Sequence, residues 1–223
     1  MKTTTNITAI IPAYNEANRI GLVIERVKAH VQHVIVVNDA SKDNTALVAQ
    51  QHGAQVINLT LNEGAGAATR IGCETAIQNG ADIIVTIDAD GQHHPDEIPL
   101  LVTNLLQQNA GIVFGGRQRT PNMPIENRWG NRLLSVVSSH LFGTSVGDTL
   151  TGFRAFFATA FPAIKWESNR YSFVAEMAAK VAHNKVPCKE VTISTIYHDN
   201  KKGMRKRDGI KTLFLLFWWK ITW

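Results

Sequence analysis

Cysteine is scarce in this sequence: only Cys73 and Cys188 occur among 223 residues, far apart, without a CxxC spacing or a histidine at ligand spacing. That excludes a disulfide scaffold and a cysteine-based zinc site, and it predicts two buried, reduced thiols. Long apolar runs are missing as well. The longest, Leu213–Trp219 (LFLLFWW), falls far short of the roughly 20 residues a membrane-spanning helix requires. The start, MKTTTNITAIIPAYNE, lacks a charged opening followed by an apolar core and a small-residue cleavage site, so no secretion signal is read and a cytoplasmic location is expected. With 7 prolines, 16 glycines, 18% charged and 44% hydrophobic residues, the chain is neither collagenous nor disordered. Excess charge is absent from most of it. The net charge is +5, and residues 198–223 hold all of it through Lys201, Lys202, Arg205, Lys206, Arg207, Lys211 and Lys220 against Asp199 and Asp208. Residues 1–197 are neutral overall and no recognition fold is apparent, which argues against a nucleic-acid partner.

What is present is alternation. Short runs rich in Ile and Val at 7–11, 34–37, 55–59, 83–87 and 111–115 read as buried parallel strands. Stretches of helical period at 19–31, 44–52, 66–79 and 95–108 lie between them, several opened by helix-start residues such as Ser41, Asp43 and Pro95. Strand and helix in alternation predict a doubly wound α/β sheet in one domain. After Arg117 the rhythm breaks into a Pro-bracketed loop, a helical pattern over 126–141, strand candidates at 151–157 and 186–197, and a helix over 172–183. The second half is expected to pack on the same sheet, so the chain divides into a catalytic body, 1–197, and a basic, aromatic-rich tail, 198–223. The tail is expected to rest on the domain or on a membrane surface.

In an open parallel sheet, ligands bind beyond the carboxyl ends of the strands. Strand one ends in Pro12-Ala13-Tyr14-Asn15-Glu16, strand two in Asn38-Asp39-Ala40-Ser41, and strand four in Asp88-Ala89-Asp90-Gly91-Gln92-His93-His94-Pro95. An Asp-x-Asp pair is weak evidence alone. Delivered to the binding edge by a buried strand, it becomes stronger, because unpaired carboxylates there need water or a cation. Hard oxygen donors with Gln92 nearby suit Mg²⁺ or Mn²⁺; the competing expectation is that one aspartate caps the helix at Pro95. Adjacent His93 and His94 point in different directions, against a zinc site. No P-loop or Gly-x-Ser-x-Gly is present. The one glycine-rich helix start, GAGAAT at 64–69, has Thr69 where a dinucleotide fingerprint needs Gly or Ala, and it follows the third strand. It suits either a diphosphate or close packing on the sheet.

The segments IIPAYNE, VVNDASKDNT, NEGAGAATRIG, TIDADGQHHPDEIP, GGRQR and DTLTGFRAF together resemble family 2 glycosyltransferases of the GT-A fold. Within that family they are most similar to dolichyl-phosphate mannose synthases and related polyprenyl-phosphate sugar transferases. The resemblance implies a Rossmann-like, mostly parallel sheet flanked by helices. It implies nucleotide-sugar binding by Pro12, Tyr14, Glu16, Asp39, Asp88, Asp90 and Gln92, with Asp88, Asp90 and Gln92 at the metal. Arg117 would face phosphate, with Arg128, Asn131, Arg205 and Lys206 on the acceptor side, and Asp148 would stand near the transferred sugar. Arg154 fits a structural or a catalytic role, and Glu176 fits a base or a packing carboxylate. The chain departs from the family at Ala65, where relatives carry a lysine, and at Arg205, where they carry a serine.

The expected activity is inverting transfer of a mannose- or glucose-type sugar from GDP-mannose or a UDP-sugar to a polyprenyl phosphate, with Asp90, Asp148 and Arg117 as the catalytic set. A phosphate monoester with a second pKa near roughly 6 is mostly ionised at neutral pH and needs no strong base. The protein would work at the cytoplasmic face of a membrane, and the missing spans leave room for a membrane-anchoring partner. The rival expectations are a family 2 transferase with a soluble sugar or polysaccharide acceptor, and a nucleotide-sugar binding or adaptor protein without turnover.

Overall fold

A computed structural model describes residues 5–117, 151–196 and 206–223, together with Val137, His140 and Leu141. Strands β1 (Ile7–Ala13), β2 (His33–Asn38), β3 (Gln55–Asn58), β4 (Ile83–Thr86), β5 (Ile112–Arg117), β6 (Arg154–Phe157) and β7 (Cys188–Ile193) form one sheet of order β3-β2-β1-β4-β6-β5-β7. The mostly parallel α/β sheet expected from the alternation is present. Its exception is β6, which runs antiparallel between β4 and β5, with Thr86 opposite Arg154 and Phe114 opposite Arg154. Strand β3 also departs from expectation: among the described residues it is an edge strand, paired with β2 alone, and its Gln55 and Asn58 are exposed.

Period-two alternation sorts the apolar side chains into two layers. Ala9, Ile11, Val34, Val36, Ile83, Val85 and Val113 face helices α1 (Ala17–Lys28), α2 (Thr45–Gln51) and α4 (Ile98–Gln107). Ile10, Ile35, Val37, Ile84, Ile112 and Phe114 face α3 (Ala65–Gln78), α5 (Phe161–Ile164) and α6 (Phe173–His183). Being covered on both sides is why these strands read as continuous Val/Ile runs, and each fully buried side chain contributes about 1.5–3 kcal/mol. The helix expected from Pro95 begins as a 3-10 turn, Pro95–Glu97, before α4 takes over. A last helix, α7 (Lys206–Thr222), packs on α6 through Ala175, Ala179, Leu216 and Trp219.

Residues of positive φ mark both ends of the sheet. At the far end, Gly53, Gly80, Asn109 and Lys185 each stand two residues past a helix and turn the chain into the next strand. At the carboxyl end, Asn15, Ala40, Gly64 and Gly91 follow β1, β2, β3 and β4. A left-handed alanine costs about 1–2 kcal/mol, so Ala40 is held there by its surroundings. Cys73 is buried as expected and burial pushes its thiol up, whereas Cys188 is only half-buried; neither is in a disulfide.

Candidate active site

The carboxyl ends of β1, β2 and β4 bring Tyr14, Glu16, Asp39, Asp88, Asp90 and Gln92 to one edge of the sheet, and Arg117 ends β5 at the same edge. Pro12 is half-buried inside β1, whereas Tyr14 is exposed, so it is not the packed aromatic that a core residue would be. The Asn15 turn is tied to the second loop: its amide donates to Ser41 Oγ at 3.0 Å and its side-chain oxygen accepts from the Lys42 amide at 2.8 Å. Glu16 is buried, its amide donates to Thr45 Oγ1 at 2.8 Å, and its carboxylate pairs with Arg19 at 3.2 Å.

Asp39 is buried and both of its oxygens accept backbone amides, from Glu63 at 2.7 Å and Gly64 at 2.9 Å. It therefore fixes the turn that enters α3. The α3 start itself is a packing site: a Cβ on Gly64 would meet the Asn169 carbonyl at 2.5 Å, and one on Gly66 would meet the Ser168 carbonyl at 2.3 Å. Ala67 N–H donates to the Asn169 carbonyl at 3.1 Å, so the segment after α5 covers this helix end. Of the two expectations for GAGAAT, close packing is the one observed.

Asp88 and Asp90 are half-buried, and neither caps the following helix, whose N-cap position is His94 without a side-chain bond. Asp90 Oδ1 accepts the Gln92 amide at 3.0 Å. His93 Nε2 lies 3.4 Å from Asp88 Oδ2, its ring stands against Phe153 at 5.4 Å, and its backbone bridges to Thr195. Burial pushes the Asp88 carboxyl up, but His93, with the Arg154 and Arg117 guanidiniums, outweighs burial and holds it below the ordinary aspartate range. Burial and the Asp88 charge push Asp90 the other way, above that range, with Glu16 adding to the rise against the Gln92 amide and His93. An anionic pair strained against itself is what a cation relieves. Gly152 leaves the space for the Asp88 carboxylate to stand at this edge: a Cβ there would sit 2.4 Å from both Asp88 oxygens. Among the described residues no three His, Cys, Asp or Glu side chains converge at ligand spacing. The protein thus supplies two carboxylates and the Gln92 amide, and a hard ion would complete its shell with water or substrate phosphate.

Arg154 is fully buried, donates from Nη2 to the Thr151 carbonyl, and lies over the Phe114 and Phe173 rings at 5.8 and 5.4 Å. It underlies the site as a fixed positive charge. Glu176 is buried, and its two oxygens accept the amides of Glu167 and Ser168, each at 2.9 Å, with Lys180 3.5 Å away. Of its two expected roles, holding the segment beside α3 is the one the contacts describe. Asp148, Arg128, Asn131 and Arg205 lie outside the described residues, as does the side chain of Lys206. Reading the sequence for site residues missed His93 as the partner of Asp88 and Gly152 as its seat. The one signal for Gly152 was a glycine beside the strand that returns to the Asp88 edge.

Comparison with known proteins places this edge in context. A family model described as glycosyl transferase family 2 matches residues 8–165. The UDP-N-acetylglucosamine–dolichyl-phosphate N-acetylglucosaminyltransferase of Methanococcus voltae is 33% identical, over 96% of this chain and 96% of that protein. The undecaprenyl-phosphate mannosyltransferase of Micrococcus luteus is 29% identical, over 91% and 88%. Among solved structures, glucosyl-3-phosphoglycerate synthase from Mycobacterium tuberculosis superposes with a TM-score of 0.77 at 21% identity, over 95% of this chain and 80% of that one, which speaks to the fold. A further structure of that enzyme, with a TM-score of 0.75, holds Mn²⁺, uridine diphosphate and glucosyl-3-phosphoglycerate. With the family model spanning most of the sheet and a relative aligned nearly end to end, the chain belongs to glycosyl transferase family 2.

Proposed function

We propose that this enzyme transfers a hexosyl unit, with inversion, from a nucleotide sugar to a polyprenyl phosphate at the cytoplasmic face of a membrane. The observation that carries the donor half is the Asp88/Asp90 pair, one carboxyl held low and its neighbour pushed high at the substrate edge of the sheet. Asp88, Asp90 and Gln92 would hold Mg²⁺ or Mn²⁺. Bound there, a divalent ion offsets the negative charge that grows on the leaving diphosphate. The acceptor half is supported by the dolichyl-phosphate and undecaprenyl-phosphate acceptors in the names of the relatives.

The chain's own residues then have separable tasks. Exposed Tyr14 offers an aromatic face for a nucleoside base, with Asp39 and the turn it fixes alongside. Arg117 orients phosphate at the end of β5. His93 and Gly152 hold Asp88 in position. An ionised acceptor phosphate attacks the anomeric carbon unaided by a base, in keeping with the engagement of both Glu176 oxygens by backbone amides. Asp148, Arg128, Arg205 and Lys206 are proposed for the sugar and the acceptor phosphate.

The test is incubation of purified protein with GDP-mannose, UDP-glucose or UDP-N-acetylglucosamine, each with polyprenyl phosphate and Mg²⁺ or Mn²⁺, scoring labelled lipid. One donor is expected to give labelled lipid, and Asp90→Asn is expected to lower turnover roughly a thousandfold, the equivalent of several kcal/mol of charge stabilisation. Absence of labelled lipid with every donor, or transfer to soluble sugars alone, would overturn it.

A further inference from the structure

Helix α7 is apolar on two opposite sides. Leu216 and Trp219 are buried against Ala175 and Ala179 of α6, and Thr212 is buried on the same side of the helix. On the other side Ile210, Phe214, Phe217, Trp218 and Ile221 are 51–82% exposed. At 3.6 residues per turn these five lie within an arc of about 100°, centred about 180° from the buried face. The stripe is too long and too continuous to be the scattered exposure that any surface carries. Exposed Lys211 borders it on one side and exposed Lys220 on the other.

We propose that this outer stripe is a membrane-docking surface that seats α7 lengthwise in the headgroup layer of an anionic bilayer. Charge complementarity commits it to that occupant. The whole +5 of the chain falls within 198–223, the segment that leads into and forms this helix, while the body is neutral. Trp and Phe beside cations suit the boundary between headgroups and acyl chains, and among the described residues no helix is long and apolar enough to cross a membrane. A second copy on the same stripe would bring another equally cationic segment against the first. The helix also runs the right way. Trp223 stands against His183 and Lys180, at 5.9 and 5.3 Å, while Leu216 and Trp219 share a cluster with Ala175 and Ala179. Helices α6 and α7 are therefore parallel, and since α6 leads into β7 at the far end of the sheet, α7 begins at the substrate edge. Docking along α7 puts that edge beside the headgroups, where a lipid phosphate emerges. This last step rests on the proposed lipid-phosphate acceptor; the docking itself does not.

The experiment is co-sedimentation of the full chain with phosphatidylcholine vesicles, with and without phosphatidylglycerol, together with sedimentation velocity without lipid. Wild type is expected to bind the anionic vesicles as a monomer. F214S/W218S is expected to bind at least about tenfold more weakly at an unchanged melting temperature. Lys211→Gln is expected to lose about fivefold on anionic vesicles and nothing on neutral ones. Both variants should keep wild-type transfer to a short polyprenyl phosphate dissolved in detergent. No binding by wild type, equal binding by F214S/W218S, or a wild-type dimer that the double variant splits would each overturn the docking surface. Vesicle binding that depends on the stripe, in a protein that transfers sugar to no lipid, would sustain the docking surface and sink the proposed acceptor instead.

Discussion

Gly152→Ala isolates how the first aspartate of the pair is held. Gly152 is pinned by its own carbonyl, which accepts Thr86 Oγ1 at 2.7 Å, so the backbone has little freedom to retreat. A methyl group there would stand 2.4 Å from both Asp88 oxygens and 2.6 Å from Cγ. Ordinary carbon contacts begin near roughly 3.5 Å, so the carboxylate must give way by about 1 Å. It has room to swing toward solvent because it is half-buried, which keeps the stability loss near the low end of overpacking, about 1 kcal/mol. Swinging away breaks its register with His93 and Asp90. A misplacement of about 1 Å near the reacting atoms costs roughly a hundredfold, and loss of support behind a metal ligand costs about 10–100-fold in metal affinity. Transfer rate against Mg²⁺ or Mn²⁺ concentration, with a thermal melt alongside, reads both quantities. Gly80→Ala is the control: its φ of +80° imposes a backbone penalty, but nothing lies within 4 Å of its Cβ. That variant should melt lower with unchanged metal dependence. Wild-type metal dependence and turnover in Gly152→Ala would refute the reasoning, as would an equal metal defect in Gly80→Ala.

Glu176→Gln should lower stability by about 2 kcal/mol, because an amide nitrogen cannot accept one of the two buried backbone N–H groups; a lost turnover without a lower melting temperature would instead make it a base. Lys185→Gly should raise the melting temperature by about 2–4 °C, since a left-handed lysine at φ 52° gives way to a residue without the Cβ penalty; circular dichroism melts check it. Asp90 sits above the ordinary aspartate range, so in chelator the folded state keeps a proton that the unfolded chain has released. Metal-free stability should then fall as pH rises from the ordinary value through the raised one, and added Mg²⁺ should abolish that fall; a melting temperature flat in pH with and without Mg²⁺ would contradict it.

The parallel half of the fold was legible because strands buried on both faces carry an uninterrupted signal, as at Ile83–Thr86, and because the helices between them keep one apolar stripe. The antiparallel insertion of β6 was not. A four-residue strand, Arg154–Phe157, has the same composition whichever way it runs, and its direction is set by partners distant in sequence. Asp88 and Asp90 were found from their place after a strand. His93 was legible as a residue but not as a partner, since its burial against Phe153 depends on a segment some sixty residues later. The tail offered two exclusive expectations, core helix or interfacial segment. Helix α7 meets the first through Leu216 and Trp219, and its exposed apolar face is what the docking proposal rests on; sequence could not separate the two because the faces differ in exposure and not in hydrophobicity.

The antiparallel placement of β6 has a consequence for how such an enzyme can vary. Strand β5 ends at Arg117 and β6 begins at Arg154, and the two are neighbours: Gly115 N–H donates to the Phe153 carbonyl at 2.9 Å, and Phe114 pairs with Arg154. The two ends of the connection are thus fixed against each other by the sheet itself. Lengthening a connection between fixed ends costs only about 0.6 kcal/mol per doubling. Relatives can therefore differ in length between these two strands while Asp88, Asp90 and Gly152 keep their places.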